Sequence, residues 1–280
     1  MRWPLHSWEY IVEENLRKMM NRDTISELGD RLYEALRSQT TMPPLTEQFP
    51  EISIEDAYYI SLHMINRRVN DGEKIVGKKI GITSEVVQNM FKVDQPDFGF
   101  LTDKMEYSNG TEIPVSANLI APKAEGEIAF KLKKDLVGPG ITEEDVLDAT
   151  ECVMPCFEIV DSRIRNWEIK IEDTVADNAS CGVFVLGDGQ ADPRDLDLPN
   201  LAMKVFKNEQ LISEGLGSAV QGNPLTAVAW LANTLGQYNI PFKAGDVILS
   251  GSMVPLEAVK PGDQMRLELD GVGSVSCSFL

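Results

Sequence analysis

Glu125, Glu127 and Glu158 are the residues of this chain whose types and spacing could do chemistry. The first two stand in Ala124-Glu125-Gly126-Glu127-Ile128-Ala129-Phe130. In a strand successive side chains alternate between faces, so both carboxylates take one side, roughly 7 Å apart. On a helix they would lie about 200° apart around the axis and could not share a small ligand. The pattern favours the strand, with Ile128, Phe130 and Leu132 on one face and Glu125, Glu127 and Lys131 on the other. Taken alone, such a pair also describes an ordinary solvated face. Glu158 differs, because it sits within Val153-Met154-Pro155-Cys156-Phe157-Glu158-Ile159-Val160, a run that reads as a strand buried on both faces. A carboxylate there must be paired, protonated or bound to a cation. Three carboxylates with room left for water or substrate suit a hard divalent cation, Mg²⁺ or Mn²⁺. A salt bridge from Glu158 to Arg163 or Lys79 meets the same need, and spacing does not choose between them.

Two further positions could serve such a site. In Ile75-Val76-Gly77-Lys78-Lys79-Ile80-Gly81, strand alternation turns Lys79 inward if Lys78 faces out. An inward lysine could hold a substrate carboxylate or transfer protons with a lowered pKa; two surface lysines are the plainer reading. Asp97 falls in Asp94-Gln95-Pro96-Asp97-Phe98-Gly99, a loop that can present it to a cleft or simply bond its own backbone. The segment Trp167 to Gly182 is polar, rich in small residues and precedes an apolar strand, Val183 to Leu186. Small and hydrogen-bonding residues let a backbone approach a ligand, although a plain connecting loop has the same composition.

Helices and strands must position these groups. A capping box at Thr24-Ile25-Ser26-Glu27 predicts a helix carrying Ile25, Leu28, Leu32 and Leu36. A second helix opens at Ser53, with Asp56 three residues on and an apolar stripe through Ile54, Tyr58, Leu62, Ile65 and Val69. His63 on that helix reads as packed or surface-lying. Short helices are expected from Ser84 to Phe91 and from Glu143, capped by Thr142, to about Glu151; a longer one runs from Pro224 to about Leu235 with Trp230 on its core face. A hairpin across Lys207-Asn208-Glu209-Gln210 and three C-terminal strands complete the reading.

The chain has 280 residues, a formal net charge of −18, 43% apolar and 25% charged residues. It is long enough for a large core. The acidic balance argues against nucleic acid, whose phosphates need a clustered positive face. The four cysteines, at 152, 156, 181 and 277, lack zinc spacing and read as reduced core thiols. No apolar stretch approaches membrane-span length, and residues 1–8 lack the apolar core of a secretory signal, so a cytoplasmic protein is expected.

Gly77-Lys78-Lys79-Ile80-Gly81, the Asp94 to Gly99 segment, Glu125-Gly126-Glu127, Glu158-Ile159-Val160-Asp161-Ser162-Arg163, Asp173 to Ser180, Lys243 to Gly251 and Gly271 to Ser274 occur in this order. Together they resemble the 2-oxopent-4-enoate (2-hydroxypenta-2,4-dienoate) hydratases of aromatic meta-cleavage pathways, members of the fumarylacetoacetate hydrolase superfamily. The likeness runs from about Thr24 to the C-terminus. Residues 1–20, of mixed charge and outside the likeness, read as an extension outside the fold; the likeness implies an α+β fold, with a helical region over 21–73 and a mixed β-sheet roll over 74–280 that binds metal and carries the chemistry. It also implies Mg²⁺ or Mn²⁺ at Glu125, Glu127 and Glu158, proton transfer and substrate binding at Lys79 and Asp97, and substrate contacts from Asp177 and Ser180. A homo-oligomer and a complex with 4-oxalocrotonate decarboxylase are implied as well. That decarboxylase is the nearest rival function, but an acidic Asp97 and the presence of Trp167 lean to the hydratase. A non-catalytic partner subunit of the decarboxylase is the rival from another class. Carbon–carbon hydrolases of the superfamily pair a histidine with a carboxylate; here the histidines are His6 and His63, away from every motif.

Overall fold

The second helix forms where its capping signal stands. In this computed structural model, which describes residues 20–280, the Ser53 hydroxyl accepts from the Asp56 N–H at 3.1 Å, while Asp56 Oδ2 accepts from the Ser53 N–H at 3.1 Å. The expected extension over 1–20 lies, Met20 apart, outside the described residues. The N-terminal region comprises α1 (Arg22–Ser38), α2 (Leu45–Gln48) and α3 (Ile54–Asn70). The first helix corrects the expected cap: Asn21 Oδ1 accepts from the Thr24 N–H at 2.8 Å, so Thr24 lies inside the first turn. Leu28, Leu32, Ile60 and Met64 from the two long helices pack into one cluster with Ile164, Val175 and Ala176. His63 is bonded through Nε2 to Asp30 at 2.9 Å.

The remainder is mostly strand. In order it comprises β1 (Ile75–Gly81), α4 (Glu85–Phe91), β2 (Asp97–Thr102), β3 (Glu106–Ser108), β4 (Glu112–Ile113), α5 (Val115–Asn118) and β5 (Lys123–Leu132). Then come α6 (Glu143–Ala149), β6 (Thr150–Val160), α7 (Ile171–Ala176), β7 (Cys181–Leu186), β8 (Ala202–Lys207) and β9 (Gln210–Leu216). The chain closes with α8 (Pro224–Gly236), β10 (Val247–Ser252), β11 (Glu257–Ala258), β12 (Gln264–Leu269) and β13 (Gly273–Phe279). Two differences from the sequence reading bear on the site. Asp97 opens a strand instead of lying in a loop, and the 167–182 segment holds α7 plus a tight turn at Asn178–Ser180.

One sheet follows the path β2-β1-β10-β5-β6-β7-β3, with β11 also paired to β5; the other runs β4-β13-β12-β8-β9. If flat, the seven-strand path would set its two edges about 29 Å apart. Yet β2 and β3, at those edges, are joined only through Asp103–Met105, a link that spans at most about 14 Å. The sheet must therefore curl into a roll. Its outer face carries Ile80, Phe98, Phe100, Ile128, Phe130 and Phe157, which pack with the second sheet and α8 into the main core. The inner face carries Leu101, Ala129, Cys156, Phe184 and Leu249, which fill the roll. All four cysteines are buried and free.

Gly126 is fixed by this layering. A Cβ on its outward side would stand 2.5 Å from Met203 Sδ and 2.6 Å from Leu267 Cδ1. The second sheet needs that space, so the two inward carboxylates are separated by the smallest residue.

Candidate active site

The carboxylates meet at one end of the roll because of strand register. β5 and β6 are antiparallel with Glu125 directly opposite Glu158, and Glu127 one inward step along β5. Ligand oxygens of Glu125, Glu127 and Glu158 all lie within 4.8 Å of one another. Glu127 and Glu158 are fully buried, and Glu125 is partly open to solvent. Like charges facing each other across strands repel, so the arrangement calls for a cation. Glu127 Oε2 accepts the Gly251 N–H at 2.8 Å and Glu127 Oε1 is buried without a hydrogen-bond donor, while Glu158 is met by an ion pair with Lys79. Three all-oxygen donors with unclaimed lone pairs, and a side open to solvent, fit a hard divalent cation that keeps positions for other ligands.

The resident positive charge is Lys79, buried at the same end of the roll, with Nζ 3.3 Å from Glu158 Oε1. Of the two ion-pair partners considered for Glu158, the structure places Lys79 beside it; Arg163 goes elsewhere. Burial and the surrounding carboxylates raise the proton affinity of the cluster: Glu125 is pushed up to about 8 by burial and by Glu158, and Glu127 well above its ordinary range by burial, Glu158 and Glu125. Burial alone would lower Lys79, but Glu158, Asp97 and Glu125 outweigh it and hold the ammonium above its ordinary range. Lys79 thus stands as one cation among four acids, Glu125, Glu127, Glu158 and Asp97. Lys78 faces outward, as alternation requires, but it is buried, so the reading of two surface lysines is corrected. On the outer face it pairs with Asp246, its Nζ 5.2 Å from the centre of the Phe242 ring.

Asp97 is paired in register with Gly81, two residues beyond Lys79 on the same face. A Cβ on Gly81 would stand 2.3 Å from Asp97 Oδ1 and 3.2 Å from Lys79 Nζ. Both functional groups thus lean over the glycine. Asp97 is buried, Oδ1 has no hydrogen-bond partner, and burial raises its pKa. Tyr58 of α3 stacks on Phe98 with ring centroids 4.3 Å apart, and burial and Asp97 raise its phenol. The sequence reading missed Tyr58 as a neighbour of the site, because a tyrosine on an apolar helical stripe reads as core.

The Asp177 to Ser180 segment is built around a buried ion pair. Asp177 accepts from Arg163 Nε through Oδ1 and from the Arg163 N–H at 2.9 Å through Oδ2, with both residues fully buried. Arg163 also donates to the Asp177 carbonyl at 2.7 Å and to the Cys181 carbonyl at 3.1 Å. Both carboxylate oxygens of Asp177 are thus engaged by Arg163. Ser180 Oγ lies 2.9 Å from Thr174 Oγ1. Asn178, Ala179 and Ser180 all have left-handed backbone, φ 54°, 51° and 52°, a conformation that costs roughly 1–2 kcal/mol per non-glycine residue. Asn178 holds the turn to β2 by bonding the Phe100 N–H at 2.8 Å and carbonyl at 3.0 Å.

Residues 77–279 match the family described as fumarylacetoacetate (FAA) hydrolase C-terminal. The chain is 60% identical over 262 residues to a 2-hydroxyhexa-2,4-dienoate hydratase of Comamonas testosteroni, covering 93% of this chain and 99% of that protein. It is 60% identical over 221 residues to a 2-hydroxypent-2,4-dienoate hydratase of Pseudomonas putida, covering 79% of this chain and 100% of that one. Among solved structures, a 4-oxalocrotonate decarboxylase from Pseudomonas putida G7, complexed with magnesium and adipate, superposes with a TM-score of 0.91 at 34% identity. That match covers 94% of this chain and 100% of the decarboxylase.

Proposed function

The chain belongs to the fumarylacetoacetate hydrolase superfamily, and from that premise we infer that it is a hydratase, a hydro-lyase of aromatic catabolism. It adds water to 2-hydroxypenta-2,4-dienoate (2-oxopent-4-enoate) and yields 4-hydroxy-2-oxopentanoate. The observation that carries the reading is the meeting of Glu125, Glu127 and Glu158 with Lys79 at one end of the roll, in a chain 60% identical to dienoate hydratases. Equal identity to pentadienoate and hexadienoate enzymes agrees with a small apolar tail. One methylene separates such substrates by only about 1–3 kcal/mol.

Glu125, Glu127 and Glu158 would hold the cation, which we take to be Mg²⁺ or Mn²⁺. When bound, it stabilises negative charge developing on the substrate's 2-oxygen. Lys79 and Asp97 are the acid/base pair. A proton leaves the 2-hydroxyl and another is delivered to carbon 5, giving the conjugated 2-oxo-3-enoate. Water then adds at carbon 4, losing one proton while carbon 3 gains one, so the net change is one water. Asp97, with an unclaimed buried oxygen beside the Lys79 ammonium, can accept and return a proton without a change of position. No covalent nucleophile is needed. Ser180 is kept as a substrate contact, and Asp177 serves by holding Arg163 and the left-handed turn. A homo-oligomer, association with 4-oxalocrotonate decarboxylase and a cytoplasmic location belong to the same proposal. Among the described residues no helix is long and apolar enough to cross a membrane.

The test is loss of dienol ultraviolet absorbance with metal-stripped protein before and after adding Mg²⁺ or Mn²⁺, the product identified by NMR. Metal-dependent loss giving 4-hydroxy-2-oxopentanoate is expected. Absence of loss, with carbon dioxide released from 2-oxohex-3-enedioate, would transfer the assignment to the decarboxylase.

A further inference from the structure

Lys123 opens β5 two residues before Glu125, so the two side chains leave the same face of the strand, about 7 Å apart along it. Exposure grades along that face: Glu127 is fully buried, Glu125 partly open, and Lys123 half-buried at the solvent end. Lys123 therefore marks the rim of the carboxylate site. Its Nζ lies over the Trp167 ring, 4.1 Å from the centroid. Among the described residues it makes no ion pair, and its contact is the Trp167 ring. In a chain of net charge −18, a half-buried lysine without a carboxylate partner is an uncommon arrangement.

The indole is itself held. Trp167 Nε1 donates to the Ala121 carbonyl at 3.0 Å, tying the ring to the residues that lead into β5. The Ile120 and Ala121 N–H groups donate to Asp161 at 2.9 and 2.7 Å, fixing the same segment from the other side. Asn166 and Trp167 carry left-handed backbone, φ 54° and 58°, and such outliers persist only where the surroundings impose them. The ring gives Nζ a seat outside the carboxylates. Without that seat, a flexible lysine this close to Glu125 would fold onto it, quenching both the rim cation and a metal ligand. A cation–π contact worth about 0.5–1 kcal/mol at a partly exposed site is enough to bias that choice.

We propose that Lys123, seated on Trp167, is the anion-receiving residue at the mouth of the site. It draws the carboxylate of a small 2-oxo or 2-hydroxydienoic acid toward the site through the field of an acidic protein. It takes no part in proton transfer. The proposal rests on the hydratase reading for its natural substrate but not for its chemistry, since any small carboxylate that chelates a metal would be received alike.

The experiment uses the full chain loaded with Mg²⁺ and the variants Lys123→Gln, Lys123→Arg and Trp167→Leu. Steady-state rates on 2-hydroxypenta-2,4-dienoate are measured across a range of ionic strength, and the association rate of oxalate is measured by stopped-flow fluorescence. Lys123→Gln is expected to lower kcat/KM and the oxalate association rate about tenfold at low salt, to leave kcat within about twofold, and to flatten the salt dependence. Lys123→Arg keeps most of the effect, and Trp167→Leu weakens Mg²⁺ binding as the lysine collapses onto Glu125. An unchanged association rate and salt slope in Lys123→Gln overturns the proposal, as does a kcat that falls in step with kcat/KM. If the wild-type chain fails to hydrate the dienoate but oxalate association still depends on Lys123, the hydratase reading fails and the receptor stands.

Discussion

Gly81→Ala is the sharpest perturbation this site offers, because it adds one carbon and removes no functional group. The new Cβ would lie 2.3 Å from Asp97 Oδ1, about 1.1 Å inside an ordinary contact. It would also lie 3.2 Å from Lys79 Nζ, tight but tolerable for the end of a flexible side chain. Asp97 has to move, and its backbone is held in the β1–β2 ladder, so the carboxyl swings rather than the strand. Overpacking of this kind costs typically 1–3 kcal/mol of stability, and a misplacement of about 1 Å at a catalytic group costs on the order of 100-fold in rate. We therefore expect kcat/KM to fall about 100-fold while Mg²⁺ affinity, measured by calorimetry, stays within about threefold. The same step is then made in an Asp97→Ala background, where the clash partner is gone. Adding Gly81→Ala there should cost less than about threefold, as expected for two changes acting through one group. A Gly81→Ala enzyme with wild-type kcat/KM, or a full second loss in the Asp97→Ala background, would refute the placement of Asp97 in the chemistry.

Three other outcomes follow from the same geometry. Glu158→Gln should abolish measurable Mg²⁺ binding and lower kcat/KM by at least about 100-fold with the fold retained by circular dichroism, because it removes one of the two fully buried donors. Lys79→Met should destabilise the metal-free chain by about 3–5 kcal/mol in urea unfolding, since it leaves buried carboxylates uncompensated, and Mg²⁺ should recover much of the loss. The raised carboxyls, with Glu125 near 8, hold protons that the unfolded chain releases above about pH 4.5. Metal-free stability should therefore fall as pH rises from about 5 to 8, and Mg²⁺ affinity should rise over the same window with proton release detectable by calorimetry in buffers of different ionisation enthalpy. A metal affinity flat with pH would count against protonated ligands in the metal-free chain.

Much of this was legible in the sequence because local rules and tertiary demands agree. Glu125 and Glu127 alternate with residues that reach the main core, and Ser53 and Asp56 form the box their spacing announces. What stayed hidden were partners chosen across the fold. Arg163 and Lys79 were equivalent companions for Glu158 until register placed the lysine beside it and gave the arginine to Asp177. Lys78 was unreadable as a core residue because its ion-pair partner, Asp246, lies 168 positions away. Asp97 sits in a segment whose proline and glycine signal a turn, while pairing with β1 draws it into a strand. The likeness to dienoate hydratases supplied the functional roles; strand alternation supplied the shared face, and neither foretold the left-handed turn at Asn178–Ser180.

The order of strands in the roll bears on how the molecule is made. β10 leaves the ribosome tenth of the thirteen strands, yet it lies between β1 and β5, the strands that carry Lys79 and Glu127. Until residues 247–252 are available, the two halves of the site have no shared ladder and the Gly251 N–H that orients Glu127 does not exist. Nascent chains thus carry their acidic residues for most of synthesis without the assembled carboxylate cluster. For the same reason a chain cut before residue 247 is not a shortened enzyme but an opened roll with two raw strand edges, the state in which edge-to-edge aggregation begins.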